Sequence, residues 1–423
     1  MLRKWKPILG WPIIGGTSYI TSDFSVGREN TSRSKKQLRT SFQLYFLILA
    51  FLTFGGAQFA AAADVMLTPQ LTLRGAYDDN ILMSRDDETS SSIATVSPSV
   101  QMDYKTLLSS LRLNADVDIL RYFQESDLNR TNQYYRLSGD HRLKERWTTS
   151  ADLKFFRDTT LHTYLEETGR VIDRVERDYL EAGGGLAYDL TTVSEISAAY
   201  EYRTVSYETD DFSDYDNHIA SLYYAHHLKN ERDTLSIGPS YYKRTTDFSD
   251  VDSFSLDLGW ARNWSEVTKV SAAIGGRYTK VKNDDGLEDD SMGVKAKLDI
   301  TSRGLASTTI FRYFHDIRTT VDGNDINVDN FLIDYRRLIT ERFGVGINGR
   351  LVFSYKLFDE QSELDDERYY WVEPRLFYKL KKNMDLSLHY RYHNNVRFRD
   401  EGDINRERNI TWVEFSYAIP TSI

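Results

Sequence analysis

A hydroxyl, an imidazole and a carboxylate held close together can relay a proton, and Ser387, His389 and Asp385 alternate along one short stretch of this chain. Such a group, on a strand, would support hydrolysis of an ester or peptide bond. The other histidines, His141, His162, His218, His226, His227, His315 and His393, have no partner at a zinc-binding spacing. His226 and His227 would point to opposite faces of a strand. Asp325-Ile-Asn327-Val-Asp329-Asn330 imitates the front of a calcium loop, but Asn330 replaces the turn glycine and Arg336 stands where the bidentate glutamate belongs. A Gly-x-Ser-x-Gly elbow and a phosphate-cradling glycine loop are both missing. The expectation is therefore a non-enzyme with no metal and no cofactor. Loose binding of Ca²⁺ or Mg²⁺ by acidic loops, bridging to lipopolysaccharide phosphates, stays open.

The charges that remain are ordered by position. From Thr95 to Tyr104 the set Val96, Pro98, Val100, Met102, Tyr104 alternates with polar residues, and Leu111 to Ile119 repeats the pattern. Period two means strands. Similar ladders recur to Tyr392, and helical periodicity does not persist after Asp64. Short polar turns near Lys105, Arg146, Thr191, Lys229, Ser265, Gly304, Thr340 and Lys382 alternate with longer acidic segments, among them 86–92, 160–176, 208–217, 322–330 and 394–405. Nine hairpins, or 18 strands of about 9 to 12 residues, follow from that spacing. The six-residue segment from Asp211 to Asp216 echoes that from Asp247 to Asp252, one hairpin later.

Composition narrows the class. The chain has 423 residues, no cysteine, 28 Tyr, 21 Phe and a formal net charge of -10. Disulfides, thiolate metal sites and a lipidated cysteine are excluded, and the acidic balance argues against nucleic acid as a partner. Arg33, Lys35, Lys36 and Arg39 precede an apolar run from Phe42 to Phe54 and then Ala60-Ala61-Ala62-Ala63. That order predicts a signal peptide ending near Ala63, preceded by an N-terminal extension, with an amphipathic anchor as the alternative. Residues 64–423 then form one domain, beginning at its first strand without a plug.

Alternation alone fits either a soluble sandwich or a membrane barrel. Strand length, the lack of linkers and aromatic residues near strand ends (Tyr77, Tyr104, Tyr122, Trp147, Tyr188, Tyr207, Trp264, Tyr355, Tyr378) favour a transmembrane antiparallel β-barrel in the outer membrane of a Gram-negative bacterium. Apolar residues would face lipid. The opposite parity would carry fourteen basic residues, Arg112, Arg136, Arg203, Arg277, Lys297, Arg336, Arg350, Arg375 and Arg391 foremost, against nine acidic ones such as Asp116, Asp118, Glu195, Glu201, Asp334 and Glu373. Such a lumen would guide anions, unless its charges pair across strands.

Near Asp64, the run Leu71-Thr-Leu-Arg-Gly-Ala-Tyr77-Asp78-Asp79-Asn80-Ile81, followed by Ser97-Pro98-Ser99-Val100, resembles the outer-membrane β-barrel porins encoded with exopolysaccharide and exosortase-type loci. The resemblance spans the architecture of residues 64–423, with Tyr77, Asp78, Asp79 and Asn80 as its specific stretch. It implies a conduit that exports or anchors an exopolysaccharide, working with lipid, lipopolysaccharide and a periplasmic export complex. The C-terminal Tyr417-Ala-Ile-Pro-Thr-Ser-Ile423 departs from the usual terminal aromatic, which bears on insertion. A diffusion porin for small solutes and a structural or adhesive barrel are the alternatives.

Overall fold

The computed structural model describes residues 63–160, 165, 168–172, 174–209, 211–246, 249–283, 288–319, 325–356, 365–399 and 402–422. The signal-peptide reading falls on residues 1–62 and lies outside them, as does His162. Eighteen long antiparallel strands follow one another. They are β1 (Asp64–Asp78), β2 (Ser91–Lys105), β3 (Ser109–Tyr122), β4 (Arg130–Lys144), β5 (Trp147–Thr159), β6 (Glu176–Asp189), β7 (Ser194–Tyr207), β8 (Tyr215–His227) and β9 (Asp233–Thr246). The second half continues with β10 (Ser249–Asn263), β11 (Thr268–Asn283), β12 (Glu288–Arg303), β13 (Ser307–Thr319), β14 (Asp325–Leu338), β15 (Phe343–Lys356), β16 (Asp366–Lys381), β17 (Met384–Phe398) and β18 (Ile404–Ala418). Each pairs with its sequence neighbours, and β1 closes on β18 in the register Leu73↔Phe415 and Tyr77↔Thr411. A two-residue strand, β19 (Thr421–Ser422), adds to the foot of β1. Closure removes every edge, which is what lets a sheet span a membrane.

Register fixes the faces. On β11 and β12 the outward pairs are Val270↔Ile300, Ala272↔Leu298, Ile274↔Ala296, Gly276↔Val294 and Tyr278↔Met292, an apolar run with polar residues between. Such an apolar band, carried around the outside of a closed 18-stranded barrel, is a lipid-facing surface, and the protein is an outer-membrane barrel. Five outward positions on a tilted strand reach about 25 Å, the height of a hydrocarbon core.

The strands run 13 to 16 residues, longer than the ladders suggested. The reason is visible on their outer faces. Beyond the band, Lys280 pairs with Glu288 at 2.6 Å and Arg157 with Asp178 at 2.7 Å. Cross-strand ion pairs continue the sheet where the apolar period has ended. Asp216 and Asp252, the last residues of the repeated six, occupy matching outward positions and accept the hydroxyls of Tyr202, at 2.8 Å, and Tyr241.

Two further expectations are corrected, and strand geometry adds to the grounds on which the calcium-like segment fails. Tyr122 and Tyr207 are not in the aromatic girdle: their parity is inward, and each is buried in an apolar cluster. The calcium-like segment is strand β14, so its successive side chains face opposite ways and cannot converge on an ion. Asp329 is instead bonded by Tyr313 and His315, at 2.8 and 3.0 Å. The segments 208–217, 322–330 and 394–405 contain much less loop than expected, because β8, β14 and β17 extend into them.

Candidate functional site: the lumen and its outer mouth

All nine foremost basic residues lie on the inward parity, opposite to the lipid-facing set. The structure gives five of them a carboxylate. Arg112 bonds Asp103 at 2.6 Å, and Arg375 bonds Asp334 at 2.6 Å. Arg277 pairs with Asp316, and Arg391 donates to Glu373 at 2.7 Å. Arg203 sits between Glu201 at 2.5 Å and Glu181 at 3.3 Å, with Lys154 on the far side of Glu181. Arg136 and Arg336 instead lie over rings, Phe156 at 5.0 Å and Phe377 at 4.0 Å. Lys297 stands beside Asp299 and Arg312 on the same wall, and Arg350 opposes Leu332 and Trp371 in register.

The tally of nine acids left out the partners that matter most: Asp103, Glu181, Asp257, Asp316 and Glu414. Asp316 lies beyond the ladders that were legible. Asp103 and Glu181 lie inside ladders that were already legible, on the inward parity, and could have been counted there. The inner wall is therefore extensively ion-paired. Arranging opposite charges across neighbouring strands satisfies them without leaving a strong net field.

Small residues recur on the inward parity from mid-strand to the periplasmic ends. Ser110, Ser138, Ser150, Ser221, Ser236 and Ser271 all take inward positions there. In the outer half the wall closes in, and a cavity of about 470 Å³ is lined by Asn114, Asp116, Asp118, Tyr134 and Arg136.

Between β5 and β6, the described residues 165 and 168–172 lie across the mouth. The base of this strap is tied by Thr160 N to Val175 O at 2.9 Å and Val175 N to the Thr160 hydroxyl at 3.0 Å. Its far side reaches strands about half a circumference away. Asn395 of β17 donates to Gly169 O at 2.6 Å, and Arg170 donates to Asp365 O at 2.6 Å and faces Glu367 at 4.0 Å. Leu165 joins Met83 of the first loop, Ile326, Val328, Val352, Tyr369 and Trp371 in one buried apolar cluster. Gly169 has φ +76°, and a Cβ there would stand 3.2 Å from Tyr369 Cβ and 3.3 Å from Val352 Cγ1. Only glycine suits that backbone and that approach. Arg174 completes the strap by donating to Leu128 O at 2.6 Å. Burial, with the charge of Arg130 nearby, lowers its guanidinium to about 10, so it stays cationic at neutral pH.

The Tyr77 to Asn80 stretch is placed at the seam. Asp78 is fully buried and takes the Arg408 guanidinium through both oxygens. Asp79 accepts Asn409 N at 2.6 Å and its side-chain amide at 2.7 Å. Asn80 donates to Glu407 O at 2.8 Å and Ser84 O at 2.7 Å, and Tyr77 faces outward. These bonds tie the first strand and loop to the last strand, where closure has no hairpin to help it.

His389 does not meet Asp385. Its Nδ1 bonds Glu373 Oε1 at 2.9 Å and its Nε2 meets Ser387 Oγ at 2.9 Å, while the ring stacks on Trp412 at 4.6 Å. His226 and His227 bond Ser194 and Thr234 on opposite faces of β8. Among the described residues no group of three His, Cys, Asp or Glu could hold a metal.

The fold and site define an outer-membrane β-barrel with a narrowed, polar lumen. No protein family matches the sequence, and no curated protein does. Among solved structures the chain is similar to OccK2 (OpdF) of Pseudomonas aeruginosa, with 11% identity, a TM-score of 0.43, and 85% of this chain and 98% of that one covered. OccAB2 of Acinetobacter baumannii gives the same identity, TM-score and coverage. The ferric-catecholate import receptor Fiu of E. coli K12 gives 9% identity, a TM-score of 0.43, and 85% and 82% coverage. Likeness at that level carries no argument about what this barrel passes.

Proposed function

We propose that this barrel is a channel for small hydrophilic solutes, narrowed at its outer mouth by residues 165 and 168–172, between β5 and β6. The observation that carries this reading is the crossing of the lumen by those residues, held on the far side through Gly169, Arg170 and Asn395. A vestibule leading to a constriction is a design for selecting solutes by size. The apolar band makes lipid the surrounding partner. The paired inner wall supports solutes of either sign better than a uniform attraction for anions.

Export of an exopolysaccharide chain, implied by the resemblance of Tyr77, Asp78, Asp79 and Asn80, finds less support. A polymer needs a continuous bore, and here the strap and the first loop share a buried apolar cluster across it. The resembling residues serve the barrel seam. Liposome swelling in sugars of graded size decides between the two. Uptake falling steeply above the size of a disaccharide supports the small-solute reading, and passage of oligosaccharides by the unmodified barrel refutes it.

A further inference from the structure

Ser387, His389 and Glu373 form a connected array on the inner wall where β16 meets β17. Ser387 Oγ meets His389 Nε2 at 2.9 Å, and His389 Nδ1 meets Glu373 Oε1 at 2.9 Å. With Nδ1 donating to the carboxylate, Nε2 is left as the lone-pair nitrogen facing the hydroxyl, which is the tautomer a general base requires. Glu373 is held by Arg391 through its other oxygen, and Trp412 stacks on the imidazole. Both contacts fix the ring, so the array is preorganised.

The chain supplies its own contrast. Ser109 with His141, and Ser194 with His226, are also hydrogen-bonded pairs, at 2.8 and 2.9 Å. Each uses Nδ1 towards the serine, and among the described residues neither histidine has a carboxylate bonded to its other nitrogen. Among these three described pairs, only at Ser387 do nucleophile, base and orienting acid stand in the order that acyl transfer uses.

We propose that Ser387 is the catalytic nucleophile of a lumen-facing esterase site, with His389 as its base and Glu373 as the positioning residue, acting on carboxylic esters carried by solutes in the channel. Ser387 Oγ attacks the carbonyl carbon as its proton moves to His389 Nε2. The bond from that carbon to the alkoxy oxygen then breaks, and the leaving oxygen takes the proton from Nε2. Water next attacks the acyl-serine and gives a proton to Nε2. The serine oxygen leaves and recovers that proton, so the products are a carboxylic acid and an alcohol.

The test uses the full refolded barrel in detergent, so that a narrow mouth does not limit access. It is treated with an alkyl fluorophosphonate probe and peptide-mapped, and p-nitrophenyl butyrate hydrolysis is followed in parallel. The expected result is labelling at Ser387 at least tenfold faster than at Ser109 or Ser194. Labelling should fall on the order of a hundredfold in His389→Gln, the usual contribution of a general base, and hydrolysis should drop to background in Ser387→Ala. Folding of each variant is read from its heat-modifiable electrophoretic mobility. Equal labelling of the three serines, or His389→Gln labelled at the unmodified rate in a folded barrel, overturns the proposal. A barrel that labels normally but fails in liposome swelling would refute the channel reading alone.

Discussion

Replacing Gly169 by valine perturbs the constriction at one point. The native φ of +76° costs a β-branched residue on the order of 1–2 kcal/mol. Its Cβ would stand 3.2 and 3.3 Å from Tyr369 and Val352, both fully buried, so overpacking adds about 1–3 kcal/mol. The acceptor Gly169 O must then move away from Asn395, at a further ~1 kcal/mol. A total of about 3–6 kcal/mol shifts the balance between seated and released strap by at least about a hundredfold, since each 1.4 kcal/mol is a factor of ten. The assay is single-channel conductance of the refolded barrel in a planar bilayer, with Gly75→Val as control, because nothing lies within 4 Å of a Cβ there. Gly169→Val should conduct severalfold more than the unmodified barrel, and the control should not. A folded Gly169→Val barrel with unchanged conductance would refute the assignment of residues 165 and 168–172 as the constriction.

Other outcomes follow from the same wall. Arg203→Met strands Glu201 in a buried site and leaves Glu181 to Lys154 alone, and thermal unfolding should show a loss of about 3–5 kcal/mol. Asp78→Ala removes the carboxylate under Arg408 at the seam and should lower resistance to unfolding in detergent by about 2–4 kcal/mol, whereas Tyr77→Phe, on the lipid side, should leave it unchanged. Arg136→Glu with Arg336→Glu changes two cations that lie over rings, and the reversal potential under a KCl gradient should move towards cation selectivity; Arg112→Gln, whose charge is already paired, should move it less.

Period-two alternation made the barrel legible from sequence, down to nine hairpins, 18 strands and the inward parity of Arg112, Arg203, Arg350 and the others. It could do so because a strand has only two faces, and a lipid-facing one must be apolar along its whole span. The same signal stopped where the band stops. Strand ends at Asn283 and from Glu288 to Asp290, beside the Lys280–Glu288 ion pair, read as loop. Tyr122 and Tyr207 looked like girdle residues because residue type does not reveal parity near a strand end.

The site divided in the same way. Sequence placed Ser387 and His389 on one face two residues apart, but Glu373 comes from the neighbouring strand, and only the register β16 to β17 brings it to His389 Nδ1. Arg203 was recognisable as an inward cation, while its partner Glu181 and the neighbour Lys154 depend on three strands aligning. By itself the sequence determined the architecture and the face of residues within the apolar ladders, because those are local periodicities. Tertiary structure alone decided which charges neutralise one another and which loop enters the bore, because residues 165 and 168–172 find their partners, Val352, Tyr369 and Asn395, about two hundred residues away, on the opposite wall of a closed ring.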